Sequence, residues 1–178
     1  MKHKTILNNN IIPIEYEYNY QQLLTKKLDA LSENFNQLII NEIVLWKVNR
    51  YVEVDDETIT LLNRIKKDDR KMKIRLTRQL LVKLLGTKGI RLPMASTILR
   101  FKNSHIYQII DQRAYRLINK DKLKLPRNID KQIELYLNYL TKMKKICKQK
   151  NIPFYKADRI LYELDKRLNK NVKIKNYA

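Results

Sequence analysis

The sequence predicts an all-α fold, a compact multi-helix domain in one or two lobes. Its 178 residues include only two glycines and four prolines, which leaves little turn chemistry for a many-stranded fold. Leu, Ile, Lys, Glu and Gln are abundant, and all but Ile are strong helix formers. Apolar residues recur at three- and four-residue spacing, the period of amphipathic helices. The length suits one core better than two independently stable domains.

The N-terminal third predicts an arm and two helices. Residues 1–17 have no clear period, and we expect an extended arm there; residues 18–178 are expected to form a single domain. The first helix is indicated by the apolar spacing of Tyr20, Leu23, Leu24, Leu28 and Leu31. A second helix is predicted from about Phe35 to Tyr51, with one stripe formed by Leu38, Ile39, Ile43 and Trp46.

Two further helices precede the middle of the chain. Asp55 and Asp56 come before the apolar series Ile59, Leu62 and Ile65, and acidic residues are favoured at a helix start. Residues 66–71 have no apolar side chain and predict a solvated loop. The next helix carries Leu76, Leu80, Leu81, Leu84 and Leu85, and we expect Gly86 to be its C-cap.

Four helices are predicted in the second half. Pro93 suits the first turn of a helix that buries Met94, Ala95, Ile98 and Leu99. Another helix follows Asp111, and residues 119–128 form a basic connector. The last two helices, separated by a break at 151–153, are indicated by Ile133, Tyr136, Leu137, Leu140, Met143 and Cys147, and by Ile160, Leu161, Leu164 and Leu168.

The charge balance points to a polyanionic partner. The chain has 38 Lys and Arg against 18 Asp and Glu, a net charge of +20 and a pI near 10.0. Part of the lysine excess is what compositional drift in an AT-rich genome produces, but drift does not explain the scarcity of acids. We expect a nucleic acid, double-stranded DNA first, as the partner.

Cysteine and histidine are too few for several kinds of site. The single Cys147 excludes an intrachain disulfide and a cysteine-ligated iron–sulfur cluster. It shares the helical spacing of the predicted core positions, so we expect a buried apolar residue rather than a reactive thiol. His3 and His105 alone make zinc or another metal site unexpected. Neither a secretory signal nor a membrane span is predicted, so we expect a cytoplasmic monomer without membrane association.

A glycine turn lies between two amphipathic helices. It reads Thr87-Lys88-Gly89-Ile90-Arg91-Leu92-Pro93-Met94-Ala95. A glycine here lets the backbone approach a phosphate, and the N–H groups that open the second helix point at that phosphate. Lys88 and Arg91 would add charge-assisted contacts. The alternative is an ordinary αα-hairpin whose glycine serves only the turn.

Residues 76–118 resemble the core of the helix-hairpin-helix DNA glycosylase superfamily, of the endonuclease III and 8-oxoguanine glycosylase type. That family has the pattern Leu-Pro-Gly-Val-Gly-x-Lys-x-Ala, then an apolar helix, a loop and Val-Asp-x-x-Val-x-Arg. The second part here reads Ile110-Asp111-Gln112-Arg113-Ala114-Tyr115-Arg116. The resemblance implies a central helix-hairpin-helix motif in which Gly89 matches the first hairpin glycine, Ala95 the helix-crossing alanine and Asp111 the essential aspartate.

Three departures from the family pattern stand out. The lysine that forms a Schiff base in bifunctional members is replaced by Pro93, which lies 18 positions before Asp111 as the family spacing requires. The second hairpin glycine is replaced by Arg91. The loop 102–108 lacks the family's Gly and Pro. Covalent lyase chemistry by that lysine is therefore excluded.

The resemblance implies a monofunctional DNA N-glycosylase that removes a damaged or non-standard base. Asp111 would stabilise the oxocarbenium-like sugar and orient water. Residues Lys88, Gly89, Ile90, Arg91, Arg113 and Arg116 would contact DNA. No cofactor is implied other than a monovalent cation at the hairpin. The alternative for Asp111 is an N-cap, because it directly precedes an amphipathic helix.

Weaker candidates for DNA contact are spread along the chain. Aromatic side chains that would stack on a flipped base, or simply belong to the core, are Trp46, Tyr107 and Tyr115. Basic side chains that would contact phosphates, or form a solvated face, are Lys83, Arg100, Lys102, Arg113 and Arg116. His105 is either a DNA contact or a surface residue.

Two other functions remain open from the sequence. One is a non-catalytic helix-hairpin-helix DNA-binding protein, which Arg91 and Pro93 favour. The other is an RNA-binding or phage-defence component on the same basic scaffold, which nothing in the chain excludes.

Overall fold

A computed structural model of the chain describes residues 22–48, 52, 54–172 and 174. Those residues form eight α-helices and a short 3-10 helix, Phe154–Lys156, and the part described contains no strand. The helices are α1 Gln22–Asp29, α2 Gln37–Val48, α3 Asp56–Asn63, α4 Ile74–Gly86, α5 Leu92–Lys102, α6 Gln112–Asn119, α7 Ile129–Gln149 and α8 Ala157–Leu168. The all-α prediction is confirmed. The predicted arm, 1–17, lies outside the described residues.

Helix α2 differs from its prediction in its buried face. That face is formed by Ile39, Ile40, Ile43, Val44 and Trp46, and the predicted end at Tyr51 lies outside the described residues. Leu38 was assigned to that face, but its side chain is 74% exposed. The assignment was wrong because nearly every residue of this helix is apolar, so several stripes satisfied the same spacing.

Helices α3 and α4 start and end close to the predicted residues. Asp55 caps α3, because its Oδ1 accepts from the backbone N–H of Thr58 at 2.7 Å. Residues 66–71 are non-helical, as predicted. Helix α4 includes Gly86 as its last residue, so the C-cap is Thr87 rather than the glycine.

Helix α5 is the centre of the core. Every side chain from Met94 to Lys102 is buried, and the helix packs against α2 and α4. The small side chain of Ala95 is fully buried in the helix that follows the glycine turn. Around this centre α4 packs on α3 and α7, while α6 packs on α7 and α8. The predicted core residues of α5 to α8 are buried, except Leu137 and Leu168, which are partly buried against the core. The side chain of Lys102 is buried with them.

No described helix combines the length and the apolar character needed to cross a bilayer. Nor do the described residues bring three His, Cys, Asp or Glu side chains together as a metal-binding group.

Candidate active site

Helix α7 fixes the loop that precedes Asp111. Tyr136 and Tyr139 are buried, and their hydroxyls donate to the carbonyls of Gln108 at 2.9 Å and Ile109 at 2.8 Å. These bonds satisfy carbonyls that would otherwise be buried without partners. Burial raises the pKa of both tyrosines well above the ordinary value, so both remain neutral donors.

A bond from helix α5 holds the same loop from the other side. The backbone N–H of Ile110 donates to Ser96 Oγ at 3.1 Å, and that hydroxyl donates to the carbonyl of Pro93 at 2.7 Å. Asp111 is therefore the next residue after a loop fixed by α5 and α7. Its backbone position depends on tertiary contacts, not only on the start of α6.

Asp111 is the N-cap of α6, and it uses only one oxygen for that role. Its Oδ1 accepts from the backbone N–H of Arg113 at 2.7 Å and of Ala114 at 2.9 Å. Within the described part of the chain, Oδ2 has no hydrogen-bond partner. The N-cap alternative is thus confirmed as geometry, and one carboxylate oxygen remains for another role.

Asp111 lines a cavity of about 130 Å³. The other lining residues come from α2, from the loop before α6 and from α8: Trp46, Lys47, Ile109, Asp158, Arg159 and Tyr162. Three separate stretches of sequence therefore meet around one carboxylate. Aromatic, aliphatic and charged groups all line the cavity, a mixture that small-ligand sites also have.

Two opposing effects act on the charge of Asp111. Burial raises the pKa of its carboxyl group, because a charged carboxylate loses hydration there. The positive charge of Lys47 and the two N–H donors of α6 lower the same pKa and partly offset the effect of burial. The net result is a raised pKa, which makes the carboxylate a stronger base than an exposed aspartate.

Helix α2 contributes an aromatic wall and a cation at its C-terminal end. Trp46 is almost fully buried, and its indole N–H donates to Thr25 Oγ1 at 2.7 Å. The ring of Phe101 contacts it edge-on, with 5.3 Å between ring centroids. The ammonium of Lys47 lies 6.0 Å from the centroid of the Trp46 ring. Lys47 lines the cavity and is half-buried. Part of its side chain therefore remains exposed to water.

An ion-pair network supports the side of the cavity nearest α8. Arg159 donates to both carboxylate oxygens of Asp29, and Arg100 donates to Asp29 Oδ1 at 2.6 Å. Burial alone would raise the pKa of Asp29, but the two guanidinium groups outweigh it and hold that pKa below its ordinary value. Asp158 Oδ2 lies 3.1 Å from Arg100 Nε in an ion pair without hydrogen-bond geometry.

The turn between α4 and α5 has features of the predicted phosphate grip and features against it. Gly89 has a φ of 89°, a conformation that favours glycine, and Lys88, Gly89 and Arg91 are all exposed. The side chain of Arg91 does not cap α5, whose first intrahelical bond is from Ala95 to the carbonyl of Arg91 at 2.9 Å. Ile90 differs: its side chain is buried, and its N–H donates to the carbonyl of Thr87.

The surroundings of this turn are not uniformly basic. A groove of about 1330 Å³ runs beside it, and both Asp55 and Asp56 line that groove together with Lys83, Lys88 and Gly89. Lys83 is already paired with Glu57, at 2.6 Å. A phosphate at the turn would therefore meet carboxylates as well as lysines, which weakens the electrostatic part of the prediction.

Arg116 does not lie where a phosphate contact requires it. It is buried, and it donates to Asp165 through Nε at 2.6 Å and through Nη2 at 2.7 Å. Asn169 and Arg113 also donate to Asp165, at 2.8 and 3.1 Å. The expected DNA contact of Arg116 is replaced by a buried ion pair between α6 and α8. Arg113 is partly exposed and shares the same carboxylate.

Most of the weaker candidates belong to the core. Tyr107 is buried, with its hydroxyl 2.7 Å from Thr77 Oγ1, and Tyr115 stacks on Tyr139 with 6.0 Å between centroids. Arg100 and Lys102 are buried, so neither is a solvated phosphate contact. His105 is exposed beside the ring of Tyr155. Trp46 alone among the predicted aromatic residues lines the cavity.

Comparison with known proteins provides no relative for the chain. No family model, no curated protein and no solved structure matches it. The cavity around Asp111 and the pattern of the sequence are therefore the features that bear on function.

Sequence reasoning missed five of the residues that line the cavity with Asp111: Lys47, Ile109, Asp158, Arg159 and Tyr162. Lys47 follows the one tryptophan directly, which was the only local signal for it. The sequence also contained a sign of Asp158. It is the one acidic residue in a helix start whose other residues are apolar or basic.

Proposed function

We propose that the chain hydrolyses the N-glycosidic bond of a base in DNA, as a divergent, monofunctional member of the helix-hairpin-helix DNA glycosylase superfamily. The observation that carries this proposal is that Asp111, whose Oδ2 has no hydrogen-bond partner among the described residues, lines a cavity together with Trp46, Lys47 and Tyr162. The proposal is supported by the family-like spacing from the glycine turn to Asp111 and by the net charge of +20.

The chemistry needs a carboxylate beside the sugar of an extruded nucleotide. The C1′–N bond breaks, its electron pair leaves with the base, and the departing base takes up a proton. The sugar becomes oxocarbenium-like, and Asp111 stabilises that positive charge. Water then forms the new C1′–O bond and passes a proton to Asp111. A base of raised pKa suits this last step.

Lys47 has an electrostatic role in this proposal. Its charge lowers the pKa of Asp111 against the effect of burial and so favours the ionised carboxylate that the reaction needs. Pro93 occupies the position of the family's nucleophilic lysine, and Asp111 is therefore the candidate for direct water activation. The product is then an intact strand with an abasic site.

The test is base release from a panel of duplexes that contain uracil, thymine glycol, 8-oxoguanine, hypoxanthine or an alkylated purine. Abasic sites are revealed as strand breaks after alkali. We expect breaks from at least one duplex, none before alkali, and none with Asp111→Asn. Absence of release from every duplex would contradict the proposal.

The second candidate is a DNA-binding protein without catalysis. It is favoured by the lysines that extend from Lys142 to Lys156, a stretch of six lysines with no Asp or Glu from residue 135 to residue 157. Those of α7 are exposed. For this candidate, duplex binding would weaken steeply with salt while no base is released from any member of the panel.

A further inference from the structure

Tyr155 is an aromatic side chain that the fold leaves at the surface. It belongs to the short 3-10 helix between α7 and α8, and 42% of its area is exposed. The backbone at this point is fixed. The carbonyl of Tyr155 accepts from Nη2 of the buried Arg100 at 3.3 Å, and the backbone N–H of Lys156 donates to the carbonyl of Pro153 at 3.0 Å. The exposed ring is therefore held on a structured turn.

A second exposed ring lies beside Tyr155. His105 comes from the loop before α6, and its ring centroid is 5.5 Å from that of Tyr155. The ammonium of Lys156 lies 5.8 Å from the centroid of the Tyr155 ring. Partial burial lowers the pKa of His105, and the positive charges of Arg70 and Lys67 lower it further. Most of the imidazole is therefore uncharged at pH 7, and it extends the aromatic surface.

The C-terminal half of α7 presents lysines to solvent next to this turn. Lys144, Lys145 and Lys148 are exposed, and among the described residues no carboxylate pairs with them. The ammonium of Lys144 lies 5.2 Å from the centroid of the Phe154 ring, which places the lysines of α7 beside the 3-10 helix. Like charges three or four positions apart on a helix are neighbours and destabilise it, so an anion bound along this face would relieve that repulsion.

Two acids of the neighbouring elements are already paired with cations. Asp29 accepts from both Arg100 and Arg159, and Asp69 Oδ2 lies 3.0 Å from Nζ of Lys73. Neither acid therefore presents an uncompensated negative charge to an approaching polyanion.

Exposed lysines beside an exposed ring are the features that bind a single strand of nucleic acid. The phosphates contact the cations, and an unpaired base stacks on the ring. In a duplex the bases stack on one another, so their faces are not available to a surface tyrosine. A polyanion without bases would use the lysines and leave the ring without a role. The exposed ring therefore favours a single strand over a duplex or an anionic lipid surface.

We propose that this region binds single-stranded DNA, with phosphates on the lysines and one base stacked on the Tyr155 ring. The region, called the Tyr155 surface below, is formed by His105, Lys144, Lys145, Lys148, Tyr155 and Lys156. None of these residues lines the cavity around Asp111, so the proposal adds a binding surface to the candidate active site. The choice of DNA over RNA rests on the proposed function. The surface itself does not depend on catalysis.

The stacking contact is tested with two labelled strands of equal length. The full-length protein is titrated with an oligothymidylate of about 12 nucleotides and with a strand of abasic residues, and fluorescence anisotropy reports binding. We expect Tyr155→Ala to weaken binding of oligothymidylate by roughly tenfold and binding of the abasic strand by less than about twofold. Tyr155→Phe keeps the ring and should bind both strands as the wild type does. No binding of oligothymidylate by the wild type, or equal losses for both strands in Tyr155→Ala, would overturn the proposal.

The lysine contacts are tested by the dependence of binding on salt. Each phosphate contact with a single strand contributes about 0.7 to the salt slope, so replacing both Lys145 and Lys148 by Gln should lower the slope by about 1.4. The control replaces Lys27 and Lys83 by Gln, which removes the same charge at lysines paired with carboxylates elsewhere on the surface. It should leave the slope unchanged. The same decrease in both double variants would show a general effect of net charge and contradict a contact at α7.

Three further measurements separate this inference from its alternatives and from the proposed function. Tyr155→Ala should leave the affinity for a duplex unchanged, and an equal loss there would contradict binding of a single strand. Tighter binding of oligouridylate RNA than of oligothymidylate would overturn the choice of DNA. Base release from a duplex, together with oligothymidylate binding that is insensitive to Tyr155→Ala, contradicts this inference and leaves the enzyme standing. Tyr155-dependent binding without release from any duplex supports the inference and contradicts the enzyme.

Discussion

The Oδ1 of Asp111 lies 2.9 Å from the backbone nitrogen of Ala114 and accepts its N–H. The same oxygen accepts the N–H of Arg113, so capping of α6 occupies one side of the carboxylate. An N-cap and a reacting group are commonly treated as competing explanations for such an aspartate. In the proposed function they are complementary, because the cap uses Oδ1 and orients the side chain of a residue that also lines the cavity.

Substitution of Asp111 separates these two roles. Asn keeps an oxygen that accepts from the first turn, whereas Ala removes it. We expect Asp111→Ala to lower the free energy of unfolding by about 1 kcal/mol and Asp111→Asn to change it by less than about 0.5 kcal/mol. Urea denaturation of the three proteins measures this. Equal losses for Asn and Ala would show that the charge, rather than the cap, stabilises α6.

Lys102 gives the stability a specific dependence on pH. Its ammonium is buried beside Asn63 and Phe35, and burial lowers its pKa from 10.5 to about 8. Between those two pH values the unfolded chain binds more protons than the folded one, so stability rises with pH. We expect a gain on the order of 1–2 kcal/mol from pH 8 to pH 10.5.

Lys102→Met provides the control for that gain. It keeps an unbranched side chain in the core and removes the titrating group. Urea unfolding across the same pH range should lose the part of the rise that comes from this lysine, and the protein should be more stable than the wild type at pH 7. An unchanged rise in Lys102→Met would assign the pH dependence to other groups.

The buried pair of Arg116 and Asp165 makes a prediction for both stability and DNA binding. Removing one partner leaves the other charge buried, so Arg116→Met should cost about 3 kcal/mol. The salt dependence of DNA binding should not change, because Arg116 contacts no phosphate in this account. A decrease of about one in the salt slope would indicate a phosphate contact instead. Arg113→Met, at the partly exposed member of the cluster, should cost less stability.

Lys47 is predicted to set the pH at which activity is lost as the solution is acidified. Its charge lowers the pKa of Asp111, and activity requires the carboxylate. In Lys47→Met that pKa rises, so activity should be lost at a higher pH as the solution is acidified. Lys47→Arg keeps the charge and should lose activity at the same pH as the wild type. The measurement is kcat/KM for base release as a function of pH; coincident profiles for Met and Arg would contradict the role.

The sequence was sufficient for the helices but not for their pairing. Amphipathic spacing predicted α4 to α8 because each has one apolar stripe against polar neighbours. In α2 nearly every position is apolar, so spacing could not distinguish the buried Trp46 face from the exposed Leu38. Pro93 and Asp111 were correctly placed at helix starts, since local backbone chemistry alone decides such positions.

The candidate site was predictable only in part, because spacing along the chain does not show which helices pack together. Asp111 has a local signal, a capping position after an apolar stretch. Lys47 and Tyr162 join it only through the packing of α2 and α8, which no spacing rule contains. Arg116 was misassigned to the surface because its partner, Asp165, is 49 residues away. The spacing in α8 indicated that Asp165 is buried. It follows the buried Leu161 by four positions and so lies on the apolar face of the helix.

The most direct test of this account is single-turnover base release by Asp111→Asn on whichever duplex the wild-type protein cleaves. The account predicts that the rate falls by roughly 100-fold or more, while the affinity for the duplex is unchanged or higher and the free energy of unfolding stays near that of the wild type. Release at the wild-type rate by a folded Asp111→Asn protein would contradict the central role of this carboxylate.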